Sequence, residues 1–214
     1  MKMKPTALIY LFITLLLLSK NLYSQNKQSN LKSDKKKDQG LIHLKIGAKG
    51  GVSLNSLQGN YGLSHDYLAT EGGLATELII GGNFLVEVDV MYQQRGGIRS
   101  TGTRHINYLG IPVLLKAFHP FGDSGTGALA PFISLGMNYQ ILQDSQFGKF
   151  TDNNIKDRNL SIVIAAGFAF QTPNNFMDFT FEWRYEQGIT DIGVPSVLRT
   201  RSSSYLFGFM LKLF

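Results

Sequence analysis

The sequence predicts an all-β protein, an eight-stranded antiparallel up-and-down transmembrane β-barrel preceded by a cleaved signal peptide. Three observations carry this prediction. Apolar and polar residues alternate along eight segments, which is the pattern of strands with one apolar face. The segments are nine to fourteen residues long, which exceeds an ordinary soluble strand and suits a tilted membrane strand. Glycine is abundant, at 23 residues, and charged residues make up 17% of the chain, which favours strands and turns over helices.

The first element is an N-terminal leader, residues 1–24. Lys2 and Lys4 precede an apolar run of twelve residues, Ala7 to Leu18. That length suits a signal peptide and is short for a membrane-spanning helix. Ser24 stands before the expected cleavage bond, so we expect the mature chain to cross the inner membrane. An uncleaved N-terminal anchor helix is the alternative.

The second element, residues 25–40, is rich in lysine and almost devoid of apolar side chains. This composition predicts a flexible periplasmic tether. Of the net charge of +6, the leader carries +3 and the tether +3, so residues 41–214 are neutral. We therefore expect no nucleic-acid partner. The absence of cysteine excludes a disulfide scaffold, a thiolate zinc site and a thiol nucleophile.

Residues 41–214 are predicted to form the outer-membrane barrel. The alternation is clearest in Asn83–Gly96, where Val86, Val88 and Val90 share one face and Glu87 and Asp89 lie on the other. A shift of one residue would exchange the two faces, so the register of such a strand is well specified. The predicted strands are Leu41–Leu54, Ala69–Ile80, Asn83–Gly96, Ile106–Ala117, Pro131–Ile141, Asn159–Gln171, Asp178–Glu186 and Ser203–Leu213.

The connections between these strands alternate in length. Tight turns are predicted at Gly81–Asn83 and Thr172–Asn175, and a longer glycine-rich connection at Phe118–Ala130. Long polar loops are predicted at Asn55–Leu68, Gly97–His105, Leu142–Arg158 and Gln187–Ser202. Short periplasmic turns and long external loops are typical of barrels in the outer membrane of Gram-negative bacteria. The expected partners are then outer-membrane lipid and, during insertion, the barrel-assembly machinery.

Alternation by itself also fits a water-soluble barrel with an apolar interior. A soluble periplasmic carrier of lipid or another ligand, similar to a lipocalin, therefore remains the alternative function. In a membrane barrel the two faces are inverted, with apolar side chains towards lipid and polar ones in the lumen.

Charged residues on the polar faces would project into the lumen. An eight-stranded barrel is just wide enough for side chains to fill it, and buried charges must pair. We therefore predict a salt-bridged network centred on Arg184 rather than an ion-conducting pore. Its predicted members are Glu87, Asp89, Arg95, Lys116, Glu182 and Arg184.

The sequence gives no sign of catalytic chemistry. The four histidines show no metal-ligand spacing; they are His43, His65, His105 and His119. Asp66 beside His65, and Ser100 near His105, are residue types used in acyl transfer. The sequence gives no indication, however, that a general base lies within hydrogen-bond reach of a nucleophile. We therefore expect no enzyme activity, no catalytic residue, no metal and no cofactor.

Several segments resemble the PorT-type outer-membrane β-barrel proteins of Bacteroidetes, often called porin-family proteins. Ile106–Phe118, INYLGIPVLLKAF, is similar to their YLEIPVLLK strand, and Phe84–Gly97 looks like the strand before it. Pro131–Leu142 and Arg184–Ile192 are similar to later strands of the family. The resemblance covers about Leu44 to Phe214.

The resemblance implies an eight-stranded barrel and little about activity, since fold similarity does not transfer function. Because the type member acts in protein secretion, an envelope or secretion protein is a candidate partner. Gly110 stands where the family usually has a glutamate, which removes one lumen acid. The expected function is that of a small non-enzymatic outer-membrane barrel with a filled lumen. It would act through its external loops or as part of an envelope or secretion assembly.

Overall fold

The computed structural model describes residues 43–59, 62–63, 65–81, 83–99, 102–123, 127–148, 150–151, 155–173, 176–193 and 197–213. The predicted signal peptide and tether, together with Ser100 and Phe214, lie outside the described residues. Eight long strands make up most of the described chain. They are β1 (His43–Gly59), β2 (Tyr67–Gly81), β3 (Phe84–Arg99), β4 (Gly102–Phe118), β5 (Gly127–Phe147), β6 (Arg158–Gln171), β7 (Met177–Gly188) and β8 (Leu198–Lys212).

The eight strands form one closed antiparallel barrel. Each strand pairs with the next along the chain, and β8 pairs with β1 from Lys45 opposite Lys212 to Gly59 opposite Leu198. Each of the eight long strands is thereby paired on both sides, which removes the free edges of an open sheet. The predicted eight-stranded up-and-down barrel is therefore confirmed. Three strands of two or three residues extend the hairpins: Gly62–Leu63, Phe121–Asp123 and Phe150–Thr151.

The outer surface carries a belt of apolar side chains. Outward residues such as Val113, Leu135 and Phe207 are about half exposed or more. A water-soluble barrel would bury such residues in its interior, so the faces are arranged as in a membrane barrel. Aromatic side chains border the belt on one side; they are Tyr92, Tyr139, Trp183 and Tyr205. Within the described residues, no helix is long and apolar enough to cross a membrane.

The connections divide between two ends of the barrel. Those at the turn end are residues 82–83, 119–126 and 172–176. Those at the loop end are residues 60–66, 100–101, 148–157 and 189–197. The aromatic border of the belt lies towards the loop end.

The strands reach further at the loop end than predicted. The segment Gly97–His105 was expected to be a long loop, but β3 runs to Arg99 and β4 begins at Gly102. Gly97 pairs with Arg104, so this segment is a tight hairpin and the prediction is wrong. β5 likewise continues to Phe147 and is 21 residues long. The reason is physical: beyond the belt apolar residues are sparse, with Ile98 alone between Gly97 and His105, so the alternation disappears while backbone pairing continues.

Candidate functional site

The lumen is the candidate site, because strand alternation directs twelve charged side chains of the described residues into it. Both carboxylates of the β3 pair, Glu87 and Asp89, are completely buried, as is Glu182 on β7, and Arg184 is 1% exposed. Lys116 on β4 is 2% exposed. An ion buried to this degree is stable only with well-placed partners. The contacts of these groups therefore decide what the lumen can do.

Arg184 joins two walls of the barrel. Its Nε donates to Glu182 Oε1 at 2.6 Å on its own strand. Its Nη2 donates across the lumen to Asp89 Oδ2 at 3.0 Å and to Glu87 Oε1 at 3.3 Å. The guanidinium thus holds three carboxylates, as its planar fork of donors allows.

Two lysines complete this central cluster. Lys49 Nζ donates to Glu87 Oε1 at 2.5 Å and to Glu182 Oε2 at 3.2 Å. Lys116 Nζ donates to Glu77 Oε1 at 2.7 Å and also contacts Glu87. We define the central cluster as Lys49, Glu77, Glu87, Asp89, Lys116, Glu182 and Arg184.

Arg95 belongs to a different cluster nearer the loop end. Its Nη1 donates to Glu71 Oε2 and its Nη2 to Glu186 Oε2, each at 3.0 Å. The structure therefore brings five of the six predicted residues together and places Arg95 apart from them. A separate ion pair between Lys45 and Asp178 forms a third group, nearer the turn end.

A layer of amide side chains packs around Glu186. Glu186 Oε1 accepts from Gln140 Nε2 at 2.7 Å and from Asn138 Nδ2 at 3.0 Å. The same two amides donate to Gln93 Oε1 at 2.9 Å. Gly110 lies against this layer, and a Cβ added there would stand 2.3 Å from Gln93 Oε1. The glycine therefore makes room for the amides where a glutamate would collide with them.

An apolar cap closes the loop end of the lumen. It consists of Leu57, Ile106, Tyr108, Ile155, Ile192 and Leu198, with Leu142 packed against it. Ile155 and Ile192 come from two different loops, and hydrogen bonds hold those loops together. Lys156 N donates to Ile192 O at 2.8 Å, and an isolated bridge joins Ile155 to Gly193. Leu142 N on β5 also donates to Asp157 O at 2.8 Å, which ties the first loop to the barrel wall. The loops thus fold inwards over the barrel.

Asp191 fixes the loop that carries Ile192. Its Oδ1 accepts from the backbone N–H of Leu198 at 2.7 Å and of Gly193 at 3.0 Å. These two hydrogen bonds hold the pKa of the Asp191 carboxyl below its usual range, and Lys156 at 3.6 Å adds to the effect. A carboxyl with a lowered pKa stabilises the fold above its unfolded pKa, and this contribution disappears as the pH falls through its folded pKa. The loop is therefore held in place at neutral pH.

Among the described residues, buried carboxyls outnumber buried cations in the lumen by seven to five. Two carboxyl oxygens, Asp89 Oδ1 and Glu71 Oε1, have no hydrogen-bond partner. The carboxyls are Glu71, Glu77, Glu87, Asp89, Asp178, Glu182 and Glu186, and the cations are Lys45, Lys49, Arg95, Lys116 and Arg184. Loss of one cation therefore deepens an existing excess of negative charge.

The predicted network included no residue of β1 or β2, although four charged members of these clusters lie there. They are Lys45, Lys49, Glu71 and Glu77. Glycines interrupt the alternation of both strands, which weakens the pattern there. Counting every second residue from Lys45 would have found Lys49, since both share the inward face.

The histidines do not assemble a reactive site among the described residues. His105 Nδ1 lies 2.9 Å from Tyr67 Oη, and the two rings meet edge to face. No group of three or more histidine, aspartate or glutamate side chains in the described part of the chain is arranged to hold a metal ion. The chemistry of the lumen is that of ion pairing.

Comparison with known proteins agrees with this geometry. Residues 23–193 match the family described as the outer membrane protein beta-barrel domain. The search of curated proteins found no match.

Among solved structures, the protein is similar to OprG from Pseudomonas aeruginosa, with a TM-score of 0.52 and 15% identity over 81% of this chain and 98% of that one. It is also similar to Neisserial surface protein A, with a TM-score of 0.50 and 13% identity over 79% of this chain and 97% of that one. At such identities the likeness concerns the fold. The predicted outer-membrane localisation is confirmed, and the chain belongs to the outer membrane protein beta-barrel domain family of Gram-negative bacteria.

Proposed function

We propose that the protein is a non-enzymatic, non-conducting barrel that acts at the cell surface through its loop end. The observation that carries this proposal is the filled lumen. Ion pairs link β1, β3, β4 and β7 across the central cluster, the amide layer packs above it, and the apolar cap covers both. A hydrated ion would have to break these contacts to pass.

The loop end supports an interaction role. β3, β4 and β5 continue beyond the belt as a paired sheet, with Gly97 opposite Arg104 and Arg104 opposite Phe147. An isolated bridge also joins His65 to Ile98. Such a surface is ordered before any partner arrives, which lowers the entropic cost of binding. The resemblance to PorT-type proteins supports an envelope or secretion protein as that partner.

The soluble carrier is not favoured. A lipocalin-like carrier needs an apolar cavity inside and a polar surface outside. Here the lumen holds the charges and the outside carries the apolar belt. Both faces are the reverse of what a carrier requires.

The first test is conductance. The purified protein, reconstituted in planar bilayers, is expected to show no steady current at any voltage the membrane tolerates. A wide porin in the same bilayer serves as the positive control. Reproducible single-channel steps from the wild-type protein would reject the proposal and make the lumen a pore.

The second test concerns orientation. A short recognition site for a specific protease, inserted in the 148–157 connection, should be cut when the protease is added to intact cells. The same site inserted in the 172–176 connection is the matched control and should be cut only after the outer membrane is opened. The opposite pattern would place the loop end in the periplasm and contradict action at the cell surface.

A further inference from the structure

Two arginines stand on the outward face of β8, above the apolar belt. The end of this strand reads LRTRSSSY from Leu198 to Tyr205. Period-two alternation turns Arg199 and Arg201 outwards and their neighbours Thr200 and Ser202 into the lumen, where both are buried. The two arginine side chains are exposed, about 7 Å apart along the strand.

The aromatic border of the belt shows where the two arginines lie along the barrel axis. Trp183 pairs with Tyr205, and Tyr185 pairs with Ser203 one outward position higher. Arg201 is the next outward residue, and its Cζ lies 5.5 Å from the centre of the Tyr185 ring. Aromatic side chains of this kind sit at the level of lipid headgroups. Arg199 and Arg201 therefore lie at or just above the headgroups of one leaflet.

The residues paired with the two arginines across the neighbouring strands are neutral. Arg201 pairs with Gln187 on β7 and Ser56 on β1, and Arg199 pairs with Gln58 on β1. Within the described residues neither forms an ion pair, whereas Arg95 and Arg184 in the lumen each hold at least two carboxylates. Two adjacent cations without a counter-ion repel each other, and a shared anion between them would relieve that repulsion.

We propose that Arg199 and Arg201 bind the phosphate groups of the phosphorylated glycolipid that forms the outer leaflet, with Tyr185 as the floor of the site. Phosphate suits a pair of arginines because each guanidinium fork can donate two parallel hydrogen bonds to it. A lipid-borne phosphate is favoured over a free one, because acyl chains attached to it would lie on the apolar belt below, against Phe207 and Phe209. This assignment of the leaflet rests on the orientation proposed above.

The test is lipid binding in non-ionic detergent, measured by native mass spectrometry. The probes are diphosphorylated lipid A, the same lipid with its phosphates removed, phosphatidylglycerol and inorganic phosphate. The full-length barrel is expected to bind diphosphorylated lipid A about tenfold or more tightly than the dephosphorylated form. The double variant Arg199→Ala/Arg201→Ala should lose that preference, and Arg199→Lys/Arg201→Lys should retain part of it.

The matched control is Arg158→Ala, which removes an exposed arginine on β6. It is expected to bind lipid A as the wild-type protein does. Equal losses in the control and in the double variant would show general attraction between a cationic surface and anionic lipid, and would overturn the site. Inorganic phosphate competing as well as lipid A at equal concentration would also overturn it, since the acyl chains would then contribute nothing.

In detergent both ends of the barrel are accessible, so orientation does not affect this measurement. A failure of binding therefore speaks against the arginine site, whereas a failure of the protease test speaks against the proposed orientation. If phosphatidylglycerol bound tightly in place of lipid A, the glycolipid assignment would be wrong.

Discussion

Arg184→Ala is expected to destabilise the barrel more than any other single alanine substitution in the lumen. It removes the guanidinium that contacts Glu182, Glu87 and Asp89. The three carboxylates stay buried, and the two lysines of the central cluster are left to neutralise them. Breaking a buried ion pair costs about 3–5 kcal/mol. In a domain of this size that corresponds to roughly 10 °C in the unfolding temperature. Thermal unfolding in detergent, followed by circular dichroism or by the gel shift of the heated protein, measures it.

Two further variants separate charge pairing from the loss of any arginine. Arg158→Ala removes an exposed arginine and should change the unfolding temperature little. The double variant Arg184→Ala/Asp89→Asn removes one of the stranded carboxylates, whose Oδ1 has no hydrogen-bond partner. It should therefore unfold at a higher temperature than Arg184→Ala. If both single variants lost equal stability, the central cluster would not be what holds the walls together.

Val88→Arg is expected to impair insertion of the barrel into the outer membrane. Val88 is a central outward residue of β3, paired with Thr76 on β2 and Val113 on β4 within the apolar belt. An arginine near the bilayer midplane on a barrel's outer face costs about 2–4 kcal/mol. The measurement is the amount of folded, heat-modifiable protein in the outer-membrane fraction of cells.

The matched control for Val88→Arg is Gln94→Arg, on the same face of the same strand. Gln94 lies beyond Tyr92 and accepts a hydrogen bond from Thr70 Oγ1 at 3.2 Å. An arginine there reaches headgroups and water, so insertion should be close to normal. Gln93 would be a poor control, because it is buried in the amide layer and has no space for a longer side chain. Equal tolerance of Val88→Arg and Gln94→Arg would mean that the belt does not face lipid.

The sequence predicted the barrel well because alternation is a local property. Which face a residue occupies depends only on whether its position is odd or even along an extended strand. The inward direction of Glu87, Asp89, Glu182 and Arg184 therefore follows from two short stretches of sequence. The number of strands follows in the same way, since each alternating segment can be recognised from its own residues.

The sequence did not predict where the strands end at the loop end. Above the belt, Ile98 is the one apolar residue of Gly97–Arg99 and Gly102–His105, so hydropathy no longer distinguishes strand from loop there. Backbone hydrogen bonding continues there regardless of side-chain polarity, and it is decided by the neighbouring strand. The hairpin therefore became visible only in the structure.

By itself, the sequence determined the fold, the face of each charged residue and the need for pairing inside a narrow lumen. Only the tertiary structure decided which charged residues form ion pairs with one another. Arg95 binds Glu71 and Glu186, whereas Arg184 binds Glu87, Asp89 and Glu182. The cap likewise joins residues from separate loops. The physical reason is that parity fixes direction along one strand, but the height at which two strands meet across the lumen depends on the tilt and stagger of the closed sheet.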